Sequence, residues 1–141
     1  MDDNSNRIDQ RLLHAYLATT YCIDTPAIDI RIGVLNMALD ALLEGHDVVC
    51  WAFLSAWNPR SKQLSDTEND KRHQQLLDYL DAAGYLYLLG WGIGDQGHWP
   101  PERSVLVLGM DASLAQHVAQ LFQQNAIVRG TRGQVPVLEW I

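Results

Sequence analysis

A short apolar run, Val48 to Leu54, constrains the fold of this chain more than any other feature. Its length and its lack of alternation predict a central strand, buried on both faces of a sheet that carries other elements on each side. The run is followed by Ala56-Trp57-Asn58-Pro59-Arg60-Ser61, although buried strands usually end in plain turn residues. A tryptophan, a carboxamide, a proline, an arginine and a hydroxyl at this point indicate a candidate site.

Composition and charge narrow the class of protein. The 141 residues are 48% hydrophobic and 19% charged, which is typical of one globular domain with a substantial core. The net charge of −7 argues against non-specific nucleic-acid binding through a basic surface. A local cluster of basic residues still allows a small anion, and it comprises Arg60, Lys62, Lys71 and Arg72.

The ends of the chain and its cysteines favour a cytoplasmic protein. We expect one domain over residues 1–141, with residues 1–6 as a flexible N-terminus that resembles no signal peptide. No apolar stretch is long enough to span a membrane. Cys22 and Cys50 lie in apolar segments and form no metal-type or redox pair.

Periodicity and turn residues predict the elements. Helical patterns cover residues 7–20, 34–44, 66–83 and 111–122. Strand patterns cover residues 21–23, 27–32, 48–55, 85–89, 104–108, 126–129 and 135–140, with a long loop over 90–101. We therefore expect an α+β (α/β-like) single domain, with a mixed β-sheet of about five to six strands and three to four helices.

Connection rules bring separate segments together. A strand-helix-strand unit makes strands 48–55 and 85–89 parallel, so that both end at one sheet edge. If strand 104–108 runs antiparallel to them, loops 56–65, 90–104 and 123–125 all meet at that edge, where open α/β sheets usually bind ligands. If it runs parallel instead, Glu102 and Gln124 move to the far edge.

The helix over 66–83 supports the same location. Ser65 and Glu68 form a capping box at the start of this helix. The fourth helical position normally carries an apolar residue that packs against the residue before the cap, here Leu64, but in this chain it is Asn69. Arg72 or His73 continues that face, followed by Leu76 and Leu80, and a buried amide or guanidinium needs partners. The N-terminus of the helix favours an anion or a carboxylate such as Glu102.

Structural explanations of these polar residues remain as alternatives to a binding site. Asn58-Pro59 can be a simple turn, and Asn69 and Arg72 can be structural, tied to the loop through Glu102. Gly90-Trp91-Gly92-Ile93-Gly94 opens no helix and has no lysine, which argues against a phosphate-binding loop. Asp95, His98 and Glu102 are candidate metal ligands, but the other histidines are scattered and no His-x-x-x-His spacing occurs, so we predict neither a metal nor a cofactor.

Four motifs in fixed order resemble one protein family. They are Ser55-Ala56-Trp57-Asn58-Pro59-x-Ser61, Glu68-Asn69-x-x-Arg72-x-x-x-Leu76, Trp99-Pro100-x-Glu102-x-Ser104 and Phe122-x-Gln124-Asn125-Ala126. Together they resemble the bacterial domain of unknown function 3293 family over about residues 14–129. Arg103 and Gln123 depart from that pattern, where the family has proline and often glycine. The resemblance implies a small stand-alone cytosolic bacterial protein, and it implies no activity.

Two functions follow as hypotheses, and enzymatic activity is left undecided. In the first, the edge binds a small polar ligand, anionic or nucleotide-like, with Glu102 as the candidate general acid or base. Trp57 and Trp99 would form the walls. In the second, the polar cluster is a structural network in a protein-interaction or regulatory module, or in a homodimer, that uses the C-terminal hairpin. A toxin, antitoxin or phage-defence role is a third class. The ligand-binding residues of the first hypothesis are Trp57, Asn58, Ser61, Asn69, Arg72, Trp99, Glu102, Ser104 and Gln124.

Overall fold

The computed structural model describes residues 3–95 and 100–141, with side chains from Gln10 onward. Four helices lie in this part of the chain: α1 (Asp3–Ala18), α2 (Met37–Gly45), α3 (Asp66–Ala83) and α4 (Ala112–Leu121). The strands are β1 (Thr20–Ile23), β2 (Ile28–Ile30), β3 (Cys50–Leu54), β4 (Tyr87–Ile93), β5 (Glu102–Leu108), β6 (Ala126–Thr131) and β7 (Val137–Trp140).

All seven strands form one sheet in the order β2-β1-β4-β5-β3-β6-β7. The α+β single-domain architecture is confirmed, but the strand number is seven rather than five to six. Every adjacent pair is antiparallel, so the expectation of a mixed sheet is wrong. The reason is that another strand lies between the two strands that each helical crossover joins, so no two parallel strands are neighbours. Each helical crossover still joins two strands of the same direction, but β5 lies between β3 and β4, and β3 lies between β5 and β6.

The loop predicted over 90–101 is shorter than expected. Gly90, Trp91 and Gly92 continue β4, since they pair with β5 on one side and with β1 on the other. Gly90 has a steric reason to be glycine, because a Cβ there would collide with the Cys22 carbonyl oxygen. β4 therefore reaches the same end of the sheet as the start of β5.

Local signals place α3 where the sequence predicts it. Ser65 Oγ accepts a hydrogen bond from the Glu68 backbone N–H at 3.2 Å, and Gly84 ends the helix in the left-handed conformation (φ 78°). The helix buries one stripe against the sheet, formed by Asn69, His73, Leu76 and Leu80.

The sheet has an apolar core on each face. α3 and α4 cover one face, where Leu76, Leu80 and Val118 pack near Val105 and Val107. α2 covers the other face, through contacts of Leu39 and Leu43 with a cluster that includes Trp51, Phe53 and Leu106. Burying each large aliphatic side chain contributes about 2 kcal/mol.

The sheet curls, so that its two margins approach each other. The Gly33 N–H, just after β2, donates to the Pro136 carbonyl, just before β7, at 2.9 Å. The rings of Tyr16 in α1 and Trp140 in β7 meet edge to face, with their centroids 5.7 Å apart. α1 therefore lies across the end of the curl. None of the helices in the described ranges is both long and apolar enough to cross a bilayer.

Candidate functional site

A cavity of about 500 Å³ lies between α1 and the end of the sheet. β3 and β4 end there, and β5 and β6 begin there, because the two pairs run in opposite directions. α1 supplies one wall and three connecting segments supply the others. The lining residues are Arg11, Leu12, His14, Ala15, Tyr16, Ala18, Thr19, Trp57, Asn58, Ser61, Gly92, Gly94, Asp95, Glu102, Gln124 and Asn125.

The loop after β3 forms the most constrained wall of the cavity. Asn58, Arg60 and Ser61 all have left-handed backbone conformations, with φ of 46°, 53° and 61°. L-residues adopt this region at a cost of about 1 kcal/mol or more each, so surrounding contacts must hold the loop in place. Such strain is concentrated at binding and catalytic sites.

Asn58 is the buried centre of those contacts. Its Oδ1 accepts hydrogen bonds from the Leu64 N–H at 3.0 Å and from Asn69 Nδ2 at 2.7 Å. Its backbone N–H donates to Asn69 Oδ1 at 2.8 Å. Since the side-chain oxygen accepts from a backbone N–H, Asn58 Nδ2 is directed to Glu102 Oε1, 3.0 Å away. This chain of bonds joins the loop, α3 and the start of β5.

Arg72 occupies a different place from the one predicted. Its Nε donates to the Ala56 carbonyl at 2.8 Å, and its Nη2 donates to the Phe122 carbonyl at 2.6 Å. Partial burial lowers the pKa of the guanidinium, which stays charged. Arg72 is not part of the cavity lining. Its two hydrogen bonds join the loop after β3 to the residue that follows α4.

The segment before β6 completes the wall. The Arg60 N–H donates to the Gln123 carbonyl at 2.7 Å, and Gln123 is itself left-handed (φ 57°). Gln124 Nε2 donates to the Trp57 and Phe122 carbonyls at 3.2 and 3.1 Å. Asn125 Nδ2 donates to Ser61 Oγ at 2.7 Å. The loop after β3 and the segment before β6 are therefore held together by hydrogen bonds within the protein.

Tyr16 is a lining residue that sequence reasoning missed. Its half-buried ring contacts Trp140, and burial together with the negative charge of Glu102 raises the pKa of its phenol to about 12. The hydroxyl is therefore neutral at physiological pH and can both donate and accept. In the sequence Tyr16 belongs to the apolar stripe of a helix, so no local signal distinguishes it from a core residue.

The predicted site residues divide into two groups. Trp57, Asn58, Ser61, Glu102 and Gln124 line the cavity. Asn69, Arg72 and Ser104 do not line the cavity. The buried Ser104 donates a hydrogen bond from its Oγ to the Glu102 carbonyl at 3.1 Å. Trp99 and His98 lie outside the described residues. Within the described ranges, no group of three His, Cys, Asp or Glu side chains is arranged to hold a metal ion.

Comparison with known proteins gives a family and no relative of known activity. Neither a curated protein nor a solved structure matches the chain. One family model, described as Protein of unknown function (DUF3293), matches residues 54–127, slightly more than half of the chain. That range contains the strained loop, α3, Glu102 and Gln124, and it confirms the resemblance seen in the motifs. The chain therefore belongs to the DUF3293 family.

Proposed function

We propose that the cavity at the end of the curled sheet binds a small polar organic molecule. The observation that carries this proposal is the cavity itself, at about 500 Å³ and with a mixed lining. Small-molecule sites usually have this volume, with apolar walls and a few convergent polar groups. Here Leu12, Trp57 and the Tyr16 ring are the apolar elements, whereas Glu102 and Gln124 are polar.

The rigidity of one wall supports the proposal. Ser61 keeps an unfavourable left-handed backbone conformation next to the left-handed Asn58, and both residues line the cavity. Their contacts come from protein groups, chiefly Asn69 and Asn125, so the wall is preorganised. Preorganisation lowers the entropy lost on binding and therefore favours affinity.

The roles of the polar residues follow from their positions. In this proposal Asn69, Arg72 and Ser104 stabilise the wall of the cavity through hydrogen bonds. The residues that contact the ligand are Trp57, Asn58, Ser61, Glu102 and Gln124. Trp99 is not assigned a role. Glu102 is the carboxylate through which a reaction here would exchange a proton, because it is half-buried, whereas Asp95 is exposed. This arrangement combines the two sequence hypotheses, since a structural network forms the wall of an open pocket.

A cavity-filling variant tests the proposal. Ala15 lines the cavity from an exposed position on α1, so Ala15→Trp should fill it without disturbing the core. Ala41→Trp, at an exposed position on α2, is the matched control. A diverse fragment library is screened by ligand-observed NMR. We expect fragments that bind the unmodified protein and the Ala41 variant, but not the Ala15 variant. The absence of any binder, or equal binding to all three proteins, would contradict the proposal.

A second candidate function, protein interaction, rests on a separate surface. The bond between Gly33 and Pro136 brings two exposed apolar segments together next to the edge strand β7. The exposed side chains are Val34, Leu35, Met37, Val135 and Val137. Exposed apolar patches beside an unpaired strand edge are typical of interaction sites. Light scattering over a concentration series, with Leu35→Lys as the variant, tests self-association through this surface.

A further inference from the structure

The helices on one side of the sheet leave part of that side uncovered. The core under α3 and α4 includes Val105 and Val107 of β5, with Tyr87 of β4 packed against it, and within the described residues it includes nothing from β1 or β2. β4, β1 and β2 are neighbours at one margin of the sheet. Adjacent strands lie about 4.8 Å apart, so the uncovered area is about 10 Å wide, which is about the diameter of one helix.

Apolar side chains of β4 point outward in this area. Tyr87 faces α3, and since strand side chains alternate, Leu89, Trp91 and Ile93 lie on the same side of the sheet. Leu89 and Ile93 are 51% and 39% exposed, and Trp91 is half-buried. Cys22 lies beside them, because it pairs with Trp91 on β1. We call these four residues, Cys22, Leu89, Trp91 and Ile93, the open face, and such an exposed apolar area is typical of an interaction site.

Two carboxylates flank the open face on the side of β2. Cys22 pairs with Asp29 of β2, so both side chains lie on one side of the sheet. Asp24 continues the strand pattern two residues after Cys22, and its N–H donates to the Leu89 carbonyl at 3.1 Å. Burial and the nearby carboxylates of Asp29 and Asp24 raise the pKa of the Cys22 thiol to about 11. Both aspartates are exposed, so they form an acidic margin.

Two more carboxylates flank the open face on the side of α3. The Tyr87 hydroxyl donates to Asp81 Oδ1 at 2.8 Å. Asp70 Oδ1 lies 3.7 Å from Nε of Arg103, whose guanidinium is 5.3 Å from the centre of the Trp91 ring. Asp70 therefore offsets the positive charge of Arg103. The open face is an apolar strip between two margins that each carry two aspartates.

We propose that the open face binds an amphipathic helix of another protein, with apolar side chains against β4 and basic side chains toward the two acidic margins. β4 is paired with β1 on one side and β5 on the other, so a partner cannot add a strand to it and must pack through side chains. Helices are the elements that usually cover a sheet face. Opposite charge on the partner would favour its encounter and its orientation.

Two features of the chain separate this surface from other functions. The cavity is lined by Gly92, which lies on the opposite side of β4 from Trp91 and Ile93, so the inference does not depend on the proposed small-molecule site. A second copy of this chain is a poorer partner than a basic helix, because its net charge of −7 is of the same sign as the acidic margins.

Three model peptides test the charge and the shape of the partner. Two have about 18 residues in a helical pattern, with leucine on one face and either lysine or glutamate on the other. The third has the composition of the leucine-lysine helix in an order without helical periodicity. Each is titrated against ¹⁵N-labelled protein, and the shifts of backbone amides are mapped. We expect the leucine-lysine helix to shift the amides of Cys22 and of residues 89–93, and to bind at least about tenfold more tightly than the other two peptides.

Two variants with matched controls assign the binding to this surface. Leu89→Gln should weaken the leucine-lysine helix about tenfold, whereas Leu121→Gln, at a position 53% exposed on α4, should leave its affinity unchanged. Asp29→Asn should weaken it about threefold, whereas Glu44→Gln, at an exposed position on α2, should not.

Three results would overturn the inference. The first is equal affinity for the lysine and glutamate helices, and the second is a set of shifts that excludes β4 and β1 or is unaffected by Leu89→Gln. The third is a concentration-dependent shift of the same β4 amides in the protein alone, without peptide binding, which would show that a second copy covers the open face.

Discussion

Asn58 and Asn69 form a reciprocal hydrogen-bonded pair. The Asn58 N–H donates to Asn69 Oδ1 at 2.8 Å, and Asn69 Nδ2 returns a bond to Asn58 Oδ1 at 2.7 Å. Both residues are buried, with 6% and 1% of their surface exposed. The pair fixes a left-handed residue of the cavity wall to the first turns of α3, so the shape of the cavity depends on a residue that does not line it.

Loss of this pair should lower stability markedly. Asn69→Ala leaves the buried Asn58 N–H without its acceptor and opens a small void, so we expect the free energy of unfolding to fall by about 3 kcal/mol. Urea denaturation followed by tryptophan fluorescence measures the change. Gln75→Ala, at an exposed position on the same helix, is the control and should cost less than about 0.5 kcal/mol. Similar values for the two variants would contradict the assigned role of Asn69.

Arg72 should behave as a structural residue. Arg72→Ala removes a charged donor from the Ala56 and Phe122 carbonyls, so we expect a loss of about 3 kcal/mol in the same denaturation measurement. Arg72→Lys should recover less than half of this, because one ammonium cannot replace a planar fork that reaches two carbonyls. Arg132→Ala, at an exposed position, is the control. A stable Arg72→Ala protein that has lost fragment binding would instead favour direct ligand contact.

The backbone strain at Arg60 can be tested by comparing a glycine substitution with a β-branched one. Arg60→Gly relieves the left-handed conformation and loses one exposed hydrogen bond to the Gln124 carbonyl, so the unfolding free energy should stay within about 0.5 kcal/mol. Arg60→Val places a β-branched side chain at φ 53° and should be about 2 kcal/mol less stable than the glycine variant. Thermal melts of the two proteins in parallel give the difference, and equal melting temperatures would exclude strain at this residue.

Gly130 should tolerate no side chain. A Cβ there would lie 2.7 Å from ring atoms of the buried Trp51, so Gly130→Ala must displace the indole and should cost about 2 kcal/mol. Near-ultraviolet circular dichroism should show the altered tryptophan environment. Gly45→Ala is the matched control, since a Cβ at that position meets nothing within 4 Å. An unchanged spectrum and stability for Gly130→Ala would refute the close packing of this ring.

His73 should make the protein sensitive to acid. Within the described residues its buried Nδ1 has no hydrogen-bond partner, and burial together with the nearby Arg103 charge lowers its pKa, partly opposed by Asp70. The unfolded chain therefore takes up the proton first, at about pH 6.5, and stability is lost as the pH falls through the lower folded-state pKa. Urea denaturation between pH 7 and 5 should show a shallower loss for His73→Gln than for the unmodified protein. His117→Gln, at an exposed position, is the control, and an equal slope for all three would contradict the prediction.

The sequence by itself determined the elements that depend on neighbouring residues. The central strand, the bounds of α3 and the meeting of the loops after β3 and before β6 followed from an apolar run, a Ser65 cap, a Gly84 stop and the direction of helical crossovers. These signals depend on a few neighbouring residues or on the order of elements along the chain, and both are present in the sequence itself.

Only the tertiary structure decided the strand order, the curl and the position and hydrogen-bond partners of each polar side chain. The insertion of β5 between β3 and β4 depends on competition among many similar apolar strands, which local pattern does not resolve. The placement of Tyr16 over the cavity depends on α1 crossing the curled sheet. Arg72 has the same identity whether it faces a ligand or a carbonyl 50 residues away, and the choice depends on which backbone groups the fold leaves without partners.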